Sequence, residues 1–292
     1  MSQRQHCLRR RGNESRSRLK ARSKPEIIDA SDTQPGDHEL REINLGIGPP
    51  DCGCAAALCR EAGARCWEVR AAQTLRFEVF NLELNEGLAQ SYVSGFDEDP
   101  FDAACDHLIV EHLPSQRIVG TFRLQTGRSA AKNLGYYCAQ EFEFAVFEPL
   151  RSEMIELGRA CVHRQYRNLV VLGMLWKGIA DYARQHGARY LFGCSSITSQ
   201  DPAVGASAYA DLCRKRLVEP QWRTRPLAAF DCPLSQLAAE PVQIPKLLRA
   251  YLTLGAKICG PPALDPQFKT IDFLTLLDLN TMSPLARQRF LC

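Results

Sequence analysis

The chain has 292 residues, of which 45% are hydrophobic, and its formal net charge is +3. These values are ordinary for a globular protein and exclude a chain too polar to bury a core. The longest apolar run, Leu169 to Trp176, is far shorter than the roughly 20 residues of a membrane helix, so no membrane span is expected. Since no apolar stretch follows the basic N-terminus, a signal peptide is not expected, and a cytoplasmic location is predicted.

Residues 1–43 are predicted to be a disordered basic tail and linker. The first 25 residues contain nine Lys or Arg against one Glu, and they show no apolar periodicity. Such a tail suits an anionic membrane surface or an acidic protein, which leaves a peripheral position at the inner membrane open. Nucleic acid is not expected as a partner, because no aromatic residue lies between the arginines.

Residues 44–66 are predicted to be a cysteine-rich lead-in to the folded domain. The chain has 13 cysteines, and in a cytoplasmic protein these are expected to be reduced and free of disulfides. Cys52, Cys54, Cys59 and Cys66 offer an alternative, a zinc site, but their first spacing is C-x-C rather than the common C-x2-C. Ordinary thiols are therefore favoured, and no metal is expected.

A hairpin and two strand-helix units are predicted in the body of the chain. Alternating apolar residues indicate a hairpin of His107 to Leu113 with Arg117 to Leu124 around the turn PSQ. Further segments follow in the order strand, helix, strand, helix: Ile155 to Val162, Asn168 to His186, ARYLFGCSS from Ala188, and Val204 to Leu217. This order predicts a mixed sheet of the α/β or α+β class. Thr74 to Leu84 fits either a strand or a helix.

The strand before the long helix carries a candidate site. Glu156 and Arg159 lie three residues apart, so strict alternation would send their side chains to opposite faces of the sheet. Gly158 lies between them and is typical of a bulge, which would bring both side chains to one cleft and free backbone N–H groups. In the alternative interpretation, Glu156 lies in solvent and Arg159 forms an ion pair.

A second candidate group consists of Asp97, Asp99 and Asp102. Three carboxylates so close together can gather an ammonium group, although the same residues around Pro100 and Phe101 are also typical of turns and helix caps. Several common enzyme classes are excluded, because the sequence has no G-x4-G-K-[ST], G-x-S-x-G, H-E-x-x-H or G-x-G-x-x-G motif.

Five segments together resemble a known family. They are DEDPFDAACDHLIV, IVGTFRL, ELGRACVHRQYRNLVVLGMLWKGIADY, YLFGCSS and PKLLRAYLTLGAKICGPPALDPQFKTIDFLTLLDL. The chain resembles the bacterial acyltransferases that form N-acyl amino acids, among them the ornithine N-alpha-acyltransferases, and more distantly the N-acyl amino acid and acyl-homoserine-lactone synthases. The resemblance covers about Trp67 to Leu279. It implies the acyl-CoA N-acyltransferase (GNAT) fold, a mixed sheet flanked by helices and splayed at its central strands, and it favours a helix for Arg76 to Leu84.

The resemblance also implies roles for individual residues. The implied substrate-binding residues are Asp97, Asp99, Asp102 and Arg123. In the alternative, Arg123 joins Arg159 in an ion-pair network with the aspartates. The implied catalytic residues are Glu156 and Arg159, with Tyr209 as a candidate acid for the leaving thiolate. Phe122, Leu157 and Phe192 are expected to line an apolar slot for the acyl chain.

The turn after the strand distinguishes the chain from ordinary acetyltransferases. Their R-x-x-G-x-[GA] loop wraps the pyrophosphate of coenzyme A, but here no glycine follows Arg164 until Gly173. In the family that the chain resembles, this absence goes with acyl carrier protein as the donor. His163, Arg164 and Arg167 are therefore expected to bind the phosphopantetheine phosphate and the acidic face of that carrier, and no bound cofactor is expected.

The predicted reaction moves a long-chain (3-hydroxy)fatty acyl group from acyl carrier protein to the α-amine of an amino acid, ornithine first, giving lyso-ornithine lipid. Glu156 would remove the ammonium proton, and backbone N–H groups would hold the oxyanion. One alternative is an N-acyl amino acid or autoinducer-type synthase with another amine. Another is a GNAT-like module that binds lipid or carrier protein without catalysis.

The acyltransferase domain is predicted to span residues 67–280, and residues 281–292 are predicted to be a tail. The domain includes a C-terminal helical extension with the amphipathic segment Ile244 to Ile258. A core-facing helix is favoured for this segment over a helix lying on a membrane.

Overall fold

The computed structural model describes residues 53–60 and 67–290, which belong to one structural unit. Eight strands are present among these residues: β1 Cys54–Arg60, β2 Asp106–His112, β3 Arg117–Thr126, β4 Met154–Val162, β5 Tyr190–Ile197, β6 Lys257–Ile258, β7 Ala263–Asp265 and β8 Thr270–Asp278. They form one open sheet in the order β1-β2-β3-β4-β5-β8-β6, and β7 also pairs with β8. Neighbouring strands are antiparallel except for β4 and β5, which are parallel.

The sheet divides at its centre, between β4 and β5. These two strands pair through Met154, Ile155 and Glu156 only, and the last pair is Glu156 opposite Phe192. Beyond that pair β4 continues beside β3 and β5 continues beside β8, so the two strands part. The predicted splay at the central strands is therefore confirmed.

Seven α-helices are present among the described residues. They are α1 Trp67–Arg76, α2 Ser91–Ser94, α3 Gly127–Lys132, α4 Leu169–Gln185, α5 Pro202–Arg216, α6 Lys246–Leu254 and α7 Pro284–Phe290. A π-helix, Phe77–Glu83, continues directly from α1. The segment Arg76 to Leu84 is thus helical as predicted, but the helix begins earlier, at Trp67.

Helices α1 and α4 cover opposite faces of the sheet. Leu108 and Val110 of β2 pack with the apolar face of α4, whereas Ile109 between them packs with α1. Successive strand residues point to opposite faces, so the two helices sandwich the sheet. The packing of α4 is close, because a Cβ at Gly178 would lie 2.6 Å from the side chain of Leu108.

The predicted hairpin, the two further strands and the two helices all agree with the structure to within two residues at each end. The periodicities that predicted them are local signals of half-buried strands and amphipathic helices. Helix α6 also follows the favoured interpretation, because the apolar residues Leu248 and Leu252 are buried in the protein.

The folded structure extends beyond the predicted domain bounds at both ends. Strand β1 lies in the predicted lead-in and pairs with β2 along its whole length. Cys54 packs with the cluster under α4 and Cys59 with the cluster under α1, so these two cysteines face opposite sides and cannot share one zinc ion. Cys52, Cys66 and the basic tail lie outside the described residues. At the other end, α7 and the buried Met282 fall in the predicted tail.

No helix in the described part of the chain is long and apolar enough to cross a membrane.

Candidate active site

A cavity of about 300 Å3 lies beside the split between β4 and β5. Residues of β4, β5 and β8 line it, together with helix α6 and the loop that carries Tyr137 and Glu141. Three of the charged residues singled out in the sequence line this cavity, namely Arg123, Glu156 and Arg159.

A bulge in β4 explains why Glu156 and Arg159 reach the same cavity. The pairing of β4 with β3 shifts between Gly158 and Cys161, which leaves Arg159 and Ala160 opposite a single residue of β3. Arg159 adopts a φ of +48°, a left-handed conformation that is uncommon for residues other than glycine. The predicted bulge is therefore present, and it lies one residue after Gly158.

Arg159 belongs to a buried Asp/Arg network. Its members are Arg76, Arg123, Arg159, Asp97, Asp99 and Asp102. Asp99 accepts from Arg123 Nη1 at 2.6 Å and from Arg159 Nη2 at 2.7 Å. Asp102 accepts from the two terminal nitrogens of Arg76 at 3.0 and 2.6 Å. Three carboxylates thus meet three guanidinium groups, and the formal charges cancel.

The electrostatics favour the ionised forms of Asp99 and Asp102. Burial favours the neutral form of Asp99, but Arg123 and Arg159 outweigh it and hold the pKa of Asp99 below its usual value. Burial is likewise outweighed at Asp102, where Arg76 and Arg123 lower the pKa. Arginines occupy both carboxylates, and the residues that line the cavity do not include these aspartates. The geometry does not support the predicted capture of an ammonium group by Asp97, Asp99 and Asp102.

The guanidinium group of Arg159 is also held between two aromatic rings. Its central carbon lies 4.9 Å from the ring centre of Tyr137 and 4.3 Å from that of Phe268. Stacking of this kind stabilises a desolvated arginine. Ion pairs and rings together fix Arg159 in one position at the edge of the cavity.

Glu156 lies at the split itself, as the last paired residue of β4. Its Oε1 accepts the N–H of Cys138 at 2.8 Å, and its Oε2 accepts the N–H of Tyr137 and the side-chain amide of Gln125, each at 3.0 Å. The residue is 5% exposed. A carboxylate has about four acceptor positions, so Oε1 retains capacity for one more donor from the cavity.

Four buried acidic residues also line the cavity. We call Glu86, Glu141, Asp265 and Asp272 the acidic wall; all four line the cavity and are at most 7% exposed. Burial, with Asp272 and Asp265 beside it, raises the pKa of Glu141 well above its usual value. Burial also raises the pKa of Asp272 to about 6 and that of Glu86 in the same direction.

Sequence reasoning missed the acidic wall. Its residues come from three distant parts of the chain, with only Asp265 and Asp272 near each other, and none belongs to a spaced motif. The one available signal was Asp272, a carboxylate between Ile271 and Phe273 inside the mostly apolar strand β8, since acidic residues are almost never fully buried without a partner.

A second, much smaller cavity of about 20 Å3 adjoins the first one. Its lining is mainly apolar and includes Leu157, Trp176, Leu191, Phe192, Tyr251 and Leu277. Leu157 and Tyr251 line both cavities. Of the predicted acyl slot, Leu157 and Phe192 are in place, whereas Phe122 is packed in the core under α4.

The basic turn after β4 is exposed. Arg164 points into solvent and His163 is half-buried. Arg167 forms a two-pronged ion pair with Glu83 at 2.6 and 2.8 Å. Directly after the turn, the side-chain oxygen of Asn168 accepts the N–H groups of Val170 and Val171, each at 3.0 Å, and so caps α4.

Tyr209 lies on α5, away from the cavity. It is half-buried against the cluster that includes Leu248 and Leu252 of α6. Burial raises the pKa of its hydroxyl, and the residues that line either cavity do not include it. The geometry gives Tyr209 a packing role and does not support the predicted role as an acid.

The divided mixed sheet with a charged cavity at the split defines an acyltransferase of the GNAT fold. Residues 75–177 match the acetyltransferase (GNAT) domain family, in agreement with that fold. The chain is 33% identical over 232 residues to the L-ornithine N(alpha)-acyltransferase of Brucella abortus (strain 2308). This alignment covers 74% of this chain and 82% of that protein. It is also 33% identical over 237 residues to the enzyme of the same name from Rhizobium meliloti (strain 1021), with 74% and 78% covered. The chain therefore belongs to the L-ornithine N(alpha)-acyltransferase family.

Two similar solved structures each cover about four fifths of this chain. The N-acyl amino acid synthase FeeM from uncultured soil microbes has a TM-score of 0.49 at 13% identity, covering 82% of this chain and 100% of that one. The AHL synthase LasI has a TM-score of 0.48 at 12% identity, covering 80% and 93%.

Proposed function

We propose that this acyltransferase moves a long-chain (3-hydroxy)fatty acyl group from acyl carrier protein to the α-amine of ornithine, giving lyso-ornithine lipid. The observation that carries the proposal is the split between β4 and β5, where a charged cavity adjoins a smaller, mainly apolar cavity. An amino acid fits the first environment and a fatty acyl chain the second. The relatives named L-ornithine N(alpha)-acyltransferase favour ornithine as the acceptor.

Direct attack of the amine on the thioester fits the residues at the split. The amine nitrogen forms a bond to the thioester carbon, the carbon–sulfur bond breaks, and the carrier's thiol is released. Glu156, with its free acceptor position facing the cavity, is our candidate to take the ammonium proton, directly or through a water. Backbone N–H groups on the unpaired edge of β4 would hold the oxyanion, each worth about 3 kcal/mol if well placed.

The cysteines beside the cavity do not favour an acyl-enzyme route. Burial raises the pKa of Cys105 and of Cys138 to about 12. The pKa of Cys194 is raised as well, by its contact with Cys138 and by burial. A thiol nucleophile must be ionised to attack, so transfer in one step from donor to amine is the simpler mechanism.

The N-terminus of α4 supports a carrier-protein donor. Coenzyme A is usually held there by free backbone N–H groups around its pyrophosphate, but Asn168 occupies those of Val170 and Val171. Arg164 is exposed and remains available for a single pantetheine phosphate or for acidic carrier residues. The apolar cavity is too small for an acyl chain as it stands, so Trp176 and Tyr251 would have to shift on binding.

The test is to incubate the protein with long-chain acyl carrier protein or acyl coenzyme A and a mixture of amino acids, and to identify products by mass spectrometry. We expect N-acyl ornithine from the carrier-protein donor. Absence of any acylated amino acid with either donor would overturn the proposal. Efficient turnover of acyl coenzyme A would overturn the donor assignment alone, and preferred acylation of another amine would replace ornithine.

A further inference from the structure

The acidic wall lines the cavity with four buried carboxyl groups. The Asp/Arg network beside the cavity is charge-balanced, and Arg159 is paired there with Asp97 and Asp99. Arg159 is near enough to Glu141 to lower the pKa of that carboxyl group, but it forms no ion pair with it. In the described part of the chain, Glu86, Glu141, Asp265 and Asp272 form no ion pair with Lys or Arg. Buried carboxylates of this kind are normally paired or bind a cation.

Asp272 points to a missing ligand in particular. It is 3% exposed and lines the cavity, and its Oδ1 has no hydrogen-bond partner among the described residues, while Oδ2 accepts from Thr270 at 3.1 Å. One carboxylate oxygen from each of Glu141, Asp265 and Asp272 lies within 4.8 Å of the others. A buried acceptor without a donor is costly unless a ligand supplies one.

We propose that Glu141, Asp265 and Asp272 bind the side-chain ammonium group of a diamino acid acceptor. The inference rests on the proposed function and adds to it the reason for choosing a diamino acid. An ammonium group has three N–H donors, and three oxygens at this spacing can all lie at about 2.8 Å from one nitrogen. Glu86, the fourth member of the wall, adds negative charge nearby.

The position of the three carboxylates suits an acceptor whose α-amine lies at the split. Glu141 contacts the thiol of Cys194 at 3.5 Å, and Cys194 lies two residues beyond Phe192, the last residue of β5 paired with β4. That separation is about 7 Å along the strand, a distance that a propyl or butyl amine side chain can span. The raised pKa values of Glu141 and Asp272 also agree with this assignment, because a bound ammonium group would stabilise the ionised form of both carboxylates.

The test compares acceptors that differ only in the terminal amine. We expect wild-type protein to acylate ornithine with a kcat/KM at least about tenfold above that for norvaline, which has the same carbon chain without the amine. Asp272→Asn should lower this preference at least about tenfold, mainly through KM, because it removes one charge but hardly changes the shape. Asp211→Asn, at an exposed position on α5, is the matched control and should leave the preference unchanged.

Calorimetry without donor provides a readout that does not depend on turnover. Ornithine should bind more tightly than norvaline, and Asp272→Asn should abolish the difference.

Equal use of ornithine and norvaline by wild-type protein, or an unchanged preference in Asp272→Asn, would overturn the inference while leaving the transferase intact. Failure to acylate any amine would overturn the proposed function, and calorimetry would still decide the inference. Asp272-dependent binding of Mg2+ or Ca2+ that ornithine does not displace would replace it with a metal site.

Discussion

The carboxylate of Glu156 accepts the backbone N–H of Cys138 at 2.8 Å, although the two residues are 18 positions apart in the chain. This hydrogen bond ties the loop over the cavity to the strand at the split. Glu156 therefore has two functions to separate by experiment: it fixes the loop, and in our proposal it takes the substrate proton.

Glu156→Gln should lower both turnover and stability. The amide nitrogen of glutamine cannot accept from the N–H of Tyr137 or Cys138, so the melting temperature should fall by a few degrees. Loss of the base should reduce kcat by at least about tenfold at temperatures well below melting. Exposed Glu143→Gln is the control and should change neither. An unchanged kcat in folded Glu156→Gln would remove Glu156 from the mechanism.

Arg164→Glu should weaken the use of acyl carrier protein. Reversing this exposed positive charge in the turn after β4 should raise KM for the carrier roughly tenfold at low salt, with kcat little changed. Added salt should reduce the effect. Arg214→Glu on α5 is a control of the same type at an exposed position. If Arg164→Glu and Arg214→Glu raise KM for the carrier by the same factor, the carrier does not dock at the turn after β4.

Arg76→Leu should unfold the protein more easily. Arg76 is 0% exposed and binds Asp97 and Asp102, and removing one partner of a buried ion pair costs about 3–5 kcal/mol. Arg70→Leu removes an exposed pair with Glu98 and should cost at most about 1 kcal/mol. Urea denaturation measures both, and a similar cost for the two would contradict a structural role for the Asp/Arg network.

Asp272 should make the ligand-free protein less stable as pH rises. Its pKa of about 6 in the folded protein lies above the usual value of 3.8, so between these values the folded state binds more protons than the unfolded state. Stability supported by the protonated form is then lost as pH rises through 6. Asp272→Asn should therefore melt higher than wild type, by a margin that grows between pH 4 and 7. A margin independent of pH would show that Asp272 does not titrate in this range.

Local signals in the sequence predicted most of the framework. The hairpin, β4, α4, β5 and α5 each have a clear apolar period, and Gly158 marked the irregularity that places Glu156 and Arg159 in one cavity. Strand β1 had no comparable signal, because its sequence CAAALCR is almost uniformly small and apolar. The sequence also did not predict the π-helix, since its side chains fit a helical pattern and a strand pattern equally.

Contacts between distant segments explain what the sequence did not reveal. From the sequence, Asp97, Asp99 and Asp102 can be an ammonium site, turn residues or ion-pair partners of Arg123 and Arg159, and spacing does not choose among these. Their third partner, Arg76, lies some twenty residues earlier and has no signal in the sequence. The acidic wall combines four isolated residues that only the sheet brings together. Spacing along a chain predicts which residues share a strand or a helix face, but not which charges meet across the fold.

Gly193 limits how close β4 and β5 can lie at the split. A Cβ at this position would lie 2.2 Å from the carbonyl oxygen of Leu157, directly beyond the last pair of β4 with β5. Any other residue would push the two strands apart at the place where donor and acceptor are proposed to meet. A relative with a larger residue here must have a wider aperture, so one position in an alignment would indicate which enzymes accept bulkier groups at the split.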